Sequence, residues 1–181
     1  MSKPSHGGAV FLVGFMGAGK TVVGRVLAQQ LGLRFIDLDN QIERAAKRTI
    51  GQIFEDVGEA GFRELETGQL SQLLESDLKT PAVVALGGGA FTQPANVEKL
   101  RLAKAPVIFL DAPLEELLRR CEAEPQRERP LLSRGREALS ILYAERRPLY
   151  LAAEATVQTS GKSVEEVASE IERWLRQHQR F

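Results

Sequence analysis

Read for apolar and polar positions alone, the chain alternates short apolar runs with longer stretches of helical period. Ala9-Val10-Phe11-Leu12-Val13, Ala82-Val83-Val84-Ala85-Leu86 and Val107-Ile108-Phe109-Leu110 are unbroken, as strands buried on both faces require. Phe35-Ile36-Asp37-Leu38-Asp39 and Ala155-Thr156-Val157 are more polar and complete a set of five strands. Between the first two, Val23, Val26, Leu27 and Leu31 recur at helical spacing before the stop signal of Gly32. Asn40 with Glu43 reads as a capping box for a helix through Lys47, and Thr49 with Gln52 as a second box for a short helix ending near Gly58. Residues 59–78 read as a longer helix with Phe62, Leu65, Leu70, Leu73 and Leu74 inside. Further helices follow Pro94, open at Pro113 with Leu114, Leu117 and Leu118, run from about Glu137 to Ala153, and close the chain from Val164 to about Gln177. Residues 122–136 are polar, with Pro125, Pro130 and Gly135, and are expected to form a mobile loop; Met1 to Gly8 are expected to form a loose tail. Strands alternating with helices predict an α/β fold on a parallel sheet, with no internal repeat and no linker.

Length and composition narrow this further. At 181 residues the chain suits one domain, here 9–181, with one core. A hydrophobic fraction of 43% and a charged fraction of 27% are those of a soluble globular protein. Zero formal net charge disfavours a general binder of nucleic acid or membrane surfaces. Cys121 stands alone and cannot form an internal disulfide, which fits a reducing cytoplasm. Lys3 before the apolar stretch 9–18 mimics a signal peptide, but strand and glycine loop already account for that stretch. No apolar run approaches the roughly 18 residues of a membrane span.

The chemistry lies where strands end. Gly14 to Thr21 fits Gly, four free positions, then Gly-Lys-Thr, between a strand and a helix. In that context Gly17, Ala18, Gly19 and Val22 belong to a loop whose N–H groups cradle phosphates. Lys20 would reach the β- and γ-phosphates of a nucleoside triphosphate, and the Thr21 hydroxyl would ligate Mg²⁺. Asp37 and Asp39, two apart on the expected strand, point to one face; there they could hold Mg²⁺-bound water and receive a hydroxyl proton. Gly87, Gly88 and Gly89 end a buried strand and offer close backbone approach to a small polar ligand. Residues 127–147 carry Arg127, Arg129, Arg134, Arg136, Arg146 and Arg147 against three acids, and some of these arginines are suited to phosphates or a carboxylate. His6, His178 and Cys121 have no ligand spacing.

Taken together, GFMGAGKT at 14–21, DLD at 37–39, GEAGFRELE at 58–66, LGGGA at 86–90, RPLL at 129–132 and RRPLY at 146–150 resemble shikimate kinase, from Ala9 to the last helix. That resemblance implies transfer of the ATP γ-phosphate to the 3-hydroxyl of shikimate, in aromatic amino-acid biosynthesis. It also implies a three-layer sandwich around a five-stranded parallel sheet, of nucleoside-monophosphate-kinase type, with a substrate-binding section at about 39–66 and a lid at about 122–136. By matching position, Asp39 would orient or deprotonate the attacking hydroxyl, and Asp37 would act on Mg²⁺ through water. Arg63 and Arg146 would grip the shikimate carboxylate, Gly88 and its neighbours would donate N–H groups, and Phe54 and Phe62 would wall the ring. Arg129 matches the lid arginine that closes on the transferring phosphate, Arg120 an arginine near the adenine, and Lys162 the loop bordering the base. Val22 replaces a hydroxyl residue common in the family, and Cys121 a threonine. A monomeric, cytoplasmic enzyme is expected. The alternatives are another small-molecule kinase on the same scaffold, for gluconate or a nucleotide, a non-catalytic nucleotide switch, or a member that binds without reacting.

Overall fold

A computed structural model describes residues 9–76, 80–124 and 130–180. The expected tail 1–8, the end of the helix expected through 78, and Arg127 and Arg129 of the expected lid lie outside the described residues. The three unbroken apolar runs form the middle of the sheet: β1 (Ala9–Val13), β3 (Ala82–Ala85) and β4 (Val107–Asp111) are buried at every position. The two more polar runs form its edges, β2 (Arg34–Asp37) and β5 (Ala155–Gln158), where one side needs no cover. All five strands are parallel, in the order β2-β3-β1-β4-β5.

Among the described residues, seven α-helices accompany the sheet. They are α1 (Lys20–Leu31), α2 (Leu38–Ala46), α3 (Ile50–Ser76), α4 (Pro94–Leu102), α5 (Leu114–Glu122), α6 (Arg136–Tyr150) and α7 (Val164–Gln177). The amphipathic last helix buries Val167, Ala168, Ile171 and Leu175, and packs against α1. Its start is fixed by a reciprocal capping box between Ser163 and Glu166. The Thr49–Gln52 box is present, with bonds of 3.0 and 3.3 Å. Gly58, at φ 68° and ψ −176°, breaks α3 into the short and long helices expected.

The structure departs from these expectations at several points. The second strand stops at Asp37, whose side chain caps α2 by accepting from the N–H groups of Asp39 and Asn40. The Asn40–Glu43 box therefore does not form, and Glu43 accepts instead from Ile50 N at 2.9 Å. Asp39 is thus in a helix's first turn rather than on the strand with Asp37. On α3, Leu65 is 44% exposed and Glu66 occupies the buried position beside it. The sixth helix ends at Tyr150, earlier than Ala153. Within 122–136, residues 130–134 form a 3₁₀ turn.

Register decides where the strand ends meet. Asp37 pairs with Ala85, and Leu12 also pairs with Ala85. The phosphate loop after β1, Asp37 at the end of β2 and the glycines after β3 therefore open at one level. Ligands of open α/β sheets bind in that position.

The loop itself is pressed onto α5. Gly17 sits at φ +78°, and a Cβ there would lie 2.3 Å from the Leu117 carbonyl oxygen and 3.0 Å from Cys121 Sγ. A backbone atom cannot swing aside, and the left-handed conformation alone costs an L-residue about 1–2 kcal/mol. Gly17→Ala is expected to lower the melting temperature by about 4–8 °C, equivalent to ~2 kcal/mol in a chain of this size, and to weaken ATP binding. An unchanged melting curve would contradict this packing.

Candidate active site

The strand ends open into one cavity of about 750 Å³. It brings together Lys20, Asp39, Arg63, Arg146 and Arg120 with both glycine segments. All the sequence-expected site residues within the described parts of the chain line it. Val22 also faces it, 43% exposed, and Lys162 borders it.

On the nucleotide side, Lys20 folds back over its own loop and donates to the carbonyls of Gly14 (2.8 Å) and Phe15 (3.0 Å). The Thr21 hydroxyl donates to Asp37 Oδ2 at 2.8 Å, while Oδ1 of the same carboxylate caps α2. Among the described residues no three His, Cys, Asp or Glu side chains group as a metal cage. One carboxylate and one hydroxyl suit Mg²⁺ nonetheless, because that ion keeps several waters and takes its other ligands from phosphates. Arg120 is held flat by Thr159, through Oγ1 at 2.9 Å and O at 3.1 Å, and by Glu116, which also accepts from Ser160. Lys162 is turned toward α7, where Glu170 takes a 2.6 Å bond from it.

The opposite wall is built by close approach of side chains to backbone. A Cβ at Gly87 would lie 2.4 Å from Glu66 Oε1 and 2.7 Å from Asp39 Oδ1, so both carboxylates converge on that glycine. A Cβ at Gly89 would lie 2.3 Å from Arg63 Cζ, so the guanidinium rests on the bare backbone. Arg63 Nη1 donates to Glu66 Oε2 at 2.7 Å, and the group also lies 5.2 Å from the centre of the Phe62 ring. Phe54 and Phe62 pack with ring centroids 4.7 Å apart and planes tilted by 36°. Arg146 reaches the same wall from α6, with Nη2 3.6 Å from Glu59 Oε1. Burial pulls Arg146 below the usual guanidinium range, but such a group stays charged at neutral pH.

The middle glycine, Gly88, is held from behind. Tyr150, buried against Phe109, donates its hydroxyl to the carbonyl of Gly88. Burial pushes its phenol up to about 12, which keeps the proton available for that bond. Burial likewise raises the Glu66 carboxyl, opposed by Arg63, and Glu66 Oε1 accepts no hydrogen bond among the described residues.

Sequence reasoning missed Glu66, Tyr150 and Glu59. A signal for Glu66 exists: Phe62, Glu66, Leu70 and Leu73 follow the helical spacing of one buried face, with Leu65 off it. Arg147, the neighbour of Arg146, does not enter the cavity; its guanidinium bonds the buried Asp111 through Nε and Nη2, at 2.7 Å for the shorter contact.

Residues 16–176 match the sequence profile of the shikimate kinase family. Shikimate kinase of Geobacter sulfurreducens is 46% identical, over 99% of this chain and 97% of its own. The solved structure of shikimate kinase from Acinetobacter baumannii in complex with shikimate superimposes with a TM-score of 0.85 at 38% identity, covering 94% of each chain. A gluconokinase from Sinorhizobium meliloti shares the fold, with a TM-score of 0.62, at only 18% identity over 94% of this chain and 92% of its own. By profile and by near-full-length identity, the chain belongs to the shikimate kinase family.

Proposed function

We propose that this enzyme transfers the γ-phosphoryl group of ATP to the 3-hydroxyl of shikimate. The observation that carries the substrate is the convergence of Arg63 and Arg146, from α3 and α6, beside Gly87–Gly89 and Asp39 in the cavity that holds the phosphate loop. A carboxylated ring with hydroxyls presents the groups that this wall can pair. The arginines take the carboxylate, the glycine backbone the ring substituents, and Asp39 the reacting hydroxyl. Phe54 and Phe62 border the apolar side. The substrate-binding section is then about 39–66, and the cytoplasm and a monomeric state suit the chain.

Lys20 already donates to loop carbonyls. Exchanging these for phosphate oxygens gives it charge to neutralise as the loose transition state forms. Thr21 and Asp37 would hold Mg²⁺, which supplies charge neutralisation on the phosphates when bound. Asp39, whose Oδ1 lies toward Gly87, would accept the hydroxyl proton. Arg120 lies against Thr159 at the far end, where the base would sit.

Lys20→Ala should abolish turnover while the fold survives, because the backbone makes the phosphate nest. More than about a tenth of wild-type kcat remaining would refute its role, since tenfold corresponds to about 1.4 kcal/mol of barrier. Asp39→Asn keeps the shape and removes the basic oxygen, so kcat should fall by about 10² to 10⁴ with ATP affinity nearly unchanged. Collapse of ATP binding with normal residual kcat would instead make Asp39 a metal or structural group.

For the clamp, calorimetric titration of shikimate into Arg63→Ala and Arg146→Ala should show Kd raised roughly 30-fold or more, from ~2 kcal/mol or more of lost pairing. Lysine at either position should rescue only in part, because a point charge cannot make the forked contact. Arg147→Ala should lower the melting temperature, by stripping Asp111, while leaving shikimate Kd within about threefold, less than ~1 kcal/mol. Equal losses of affinity at 146 and 147, or none at 63, would reopen the choice of substrate.

A further inference from the structure

Arg63 faces two carboxylates of its own helix, and they are not equivalent. Glu66 is fully buried and takes a bond of 2.7 Å. Glu59 is 36% exposed, and its Oε1 stands 3.4 Å from Arg63 Nη2 and 3.6 Å from Arg146 Nη2. Both distances exceed the roughly 2.7–3.2 Å of a well-made N–H···O bond. The other oxygen of Glu59 takes a 2.7 Å bond from Arg134, in the 3₁₀ turn Pro130–Arg134. That bond is of charge-assisted length, and chiefly through it the Glu59 carboxyl is held below its usual range. One oxygen of an ionised side chain therefore lies between the two arginines that a ligand would have to share.

Building on the clamp described above, we infer that Glu59 is a specificity-determining residue: a resident negative charge in the clamp that favours a singly charged carboxylate over a doubly charged phosphate. Two arginines beside backbone N–H donors would otherwise suit phosphate as well as carboxylate. An enzyme that uses ATP needs such a pair to stay clear of stray phosphate groups. Repulsion from Glu59 grows in proportion to the charge of the ligand, so a dianion loses about twice what a monoanion loses. The long contacts to Arg63 and Arg146 are the ones an entering carboxylate would replace. The short bond to Arg134 keeps Glu59 nearby after they are given up.

Inorganic phosphate, at mildly alkaline pH where the dianion dominates, is the probe. Its competition with shikimate is measured by calorimetry, with saturating ADP filling the nucleotide half. Glu59→Gln should tighten phosphate competition by about tenfold, and shikimate binding by only about the square root of that, roughly threefold. Glu59→Asp, which keeps the charge, should keep phosphate excluded. Unchanged phosphate competition in folded Glu59→Gln, or an equal shift for both ligands, would overturn the inference. Wild type gives a measurement independent of any variant: benzoate, a ring monocarboxylate, should compete with shikimate better than phosphate does, and the reverse order would also overturn it. Failure of the clamp itself would be seen separately, as normal shikimate binding in Arg146→Ala.

Discussion

Asp37 is the residue through which the two halves of the cavity are built together. It ends β2 level with Ala85. Oδ2 receives the Thr21 hydroxyl at the start of α1, and Oδ1 caps α2. An N-cap of this kind is worth about 0.5–2 kcal/mol of helix stability. Its larger consequence is geometric. By starting α2 at Leu38, it places Asp39 in the first turn, with Oδ1 toward Gly87. The same carboxylate thus fixes the hydroxyl that suits the metal and the orientation of the residue suited to the substrate.

The wall of Arg63, Glu66 and the glycine segment depends on a different constraint, the burial of charge. Glu66 is fully buried, and an ion in such a place is tolerated only with a partner of good geometry. Arg63 supplies that partner at 2.7 Å, and Gly89 leaves room for its guanidinium to lie on the backbone. Gly87 leaves the corresponding room for Glu66 and Asp39. The glycine segment therefore serves packing as well as ligand access: a side chain at 87 or 89 would dislodge the charged groups before any substrate arrived. Tyr150 fixes the remaining glycine through its carbonyl, across 62 positions of sequence.

These two constraints also explain what could be read from sequence. The three interior strands were legible because unbroken apolar runs admit few other uses, and the break at Gly58 because glycine takes a left-handed conformation at little cost. The β2–α2 junction was not, because Asp37, Asp39 and Asn40 are all capable caps within four positions, and Leu38 is buried on either reading. Glu66 was hidden by the rule that charged residues face water, which outweighed its place on the helical face of Phe62 and Leu70. Arg146 and Arg147 are adjacent on a helix and point about 100° apart. Nothing in composition distinguishes them; matching RRPLY to the family did, and the contact of Arg147 with Asp111 gives the physical reason.

A cavity that gathers this many cations faces a cost of its own, since like charges repel whenever ligands are absent. Each cation here meets it with an acceptor from the chain. Lys20 has the carbonyls of Gly14 and Phe15, Arg63 has Glu66, Arg120 has Glu116 and Thr159, and Lys162 has Glu170. These acceptors differ in how easily they can be given up. Neutral carbonyls and long ionic contacts can be exchanged for ligand oxygens, whereas the short, buried Arg63–Glu66 bond cannot be broken without stranding a charge. Lys20 and Arg146 are on the exchangeable side of that division; Arg63 keeps Glu66 while its second nitrogen, 3.4 Å from Glu59, can turn to a ligand. On the proposed function, the groups free to move are those that a reacting phosphate or an entering carboxylate would need, and the pair that stays fixed would hold the wall against which the ring fits.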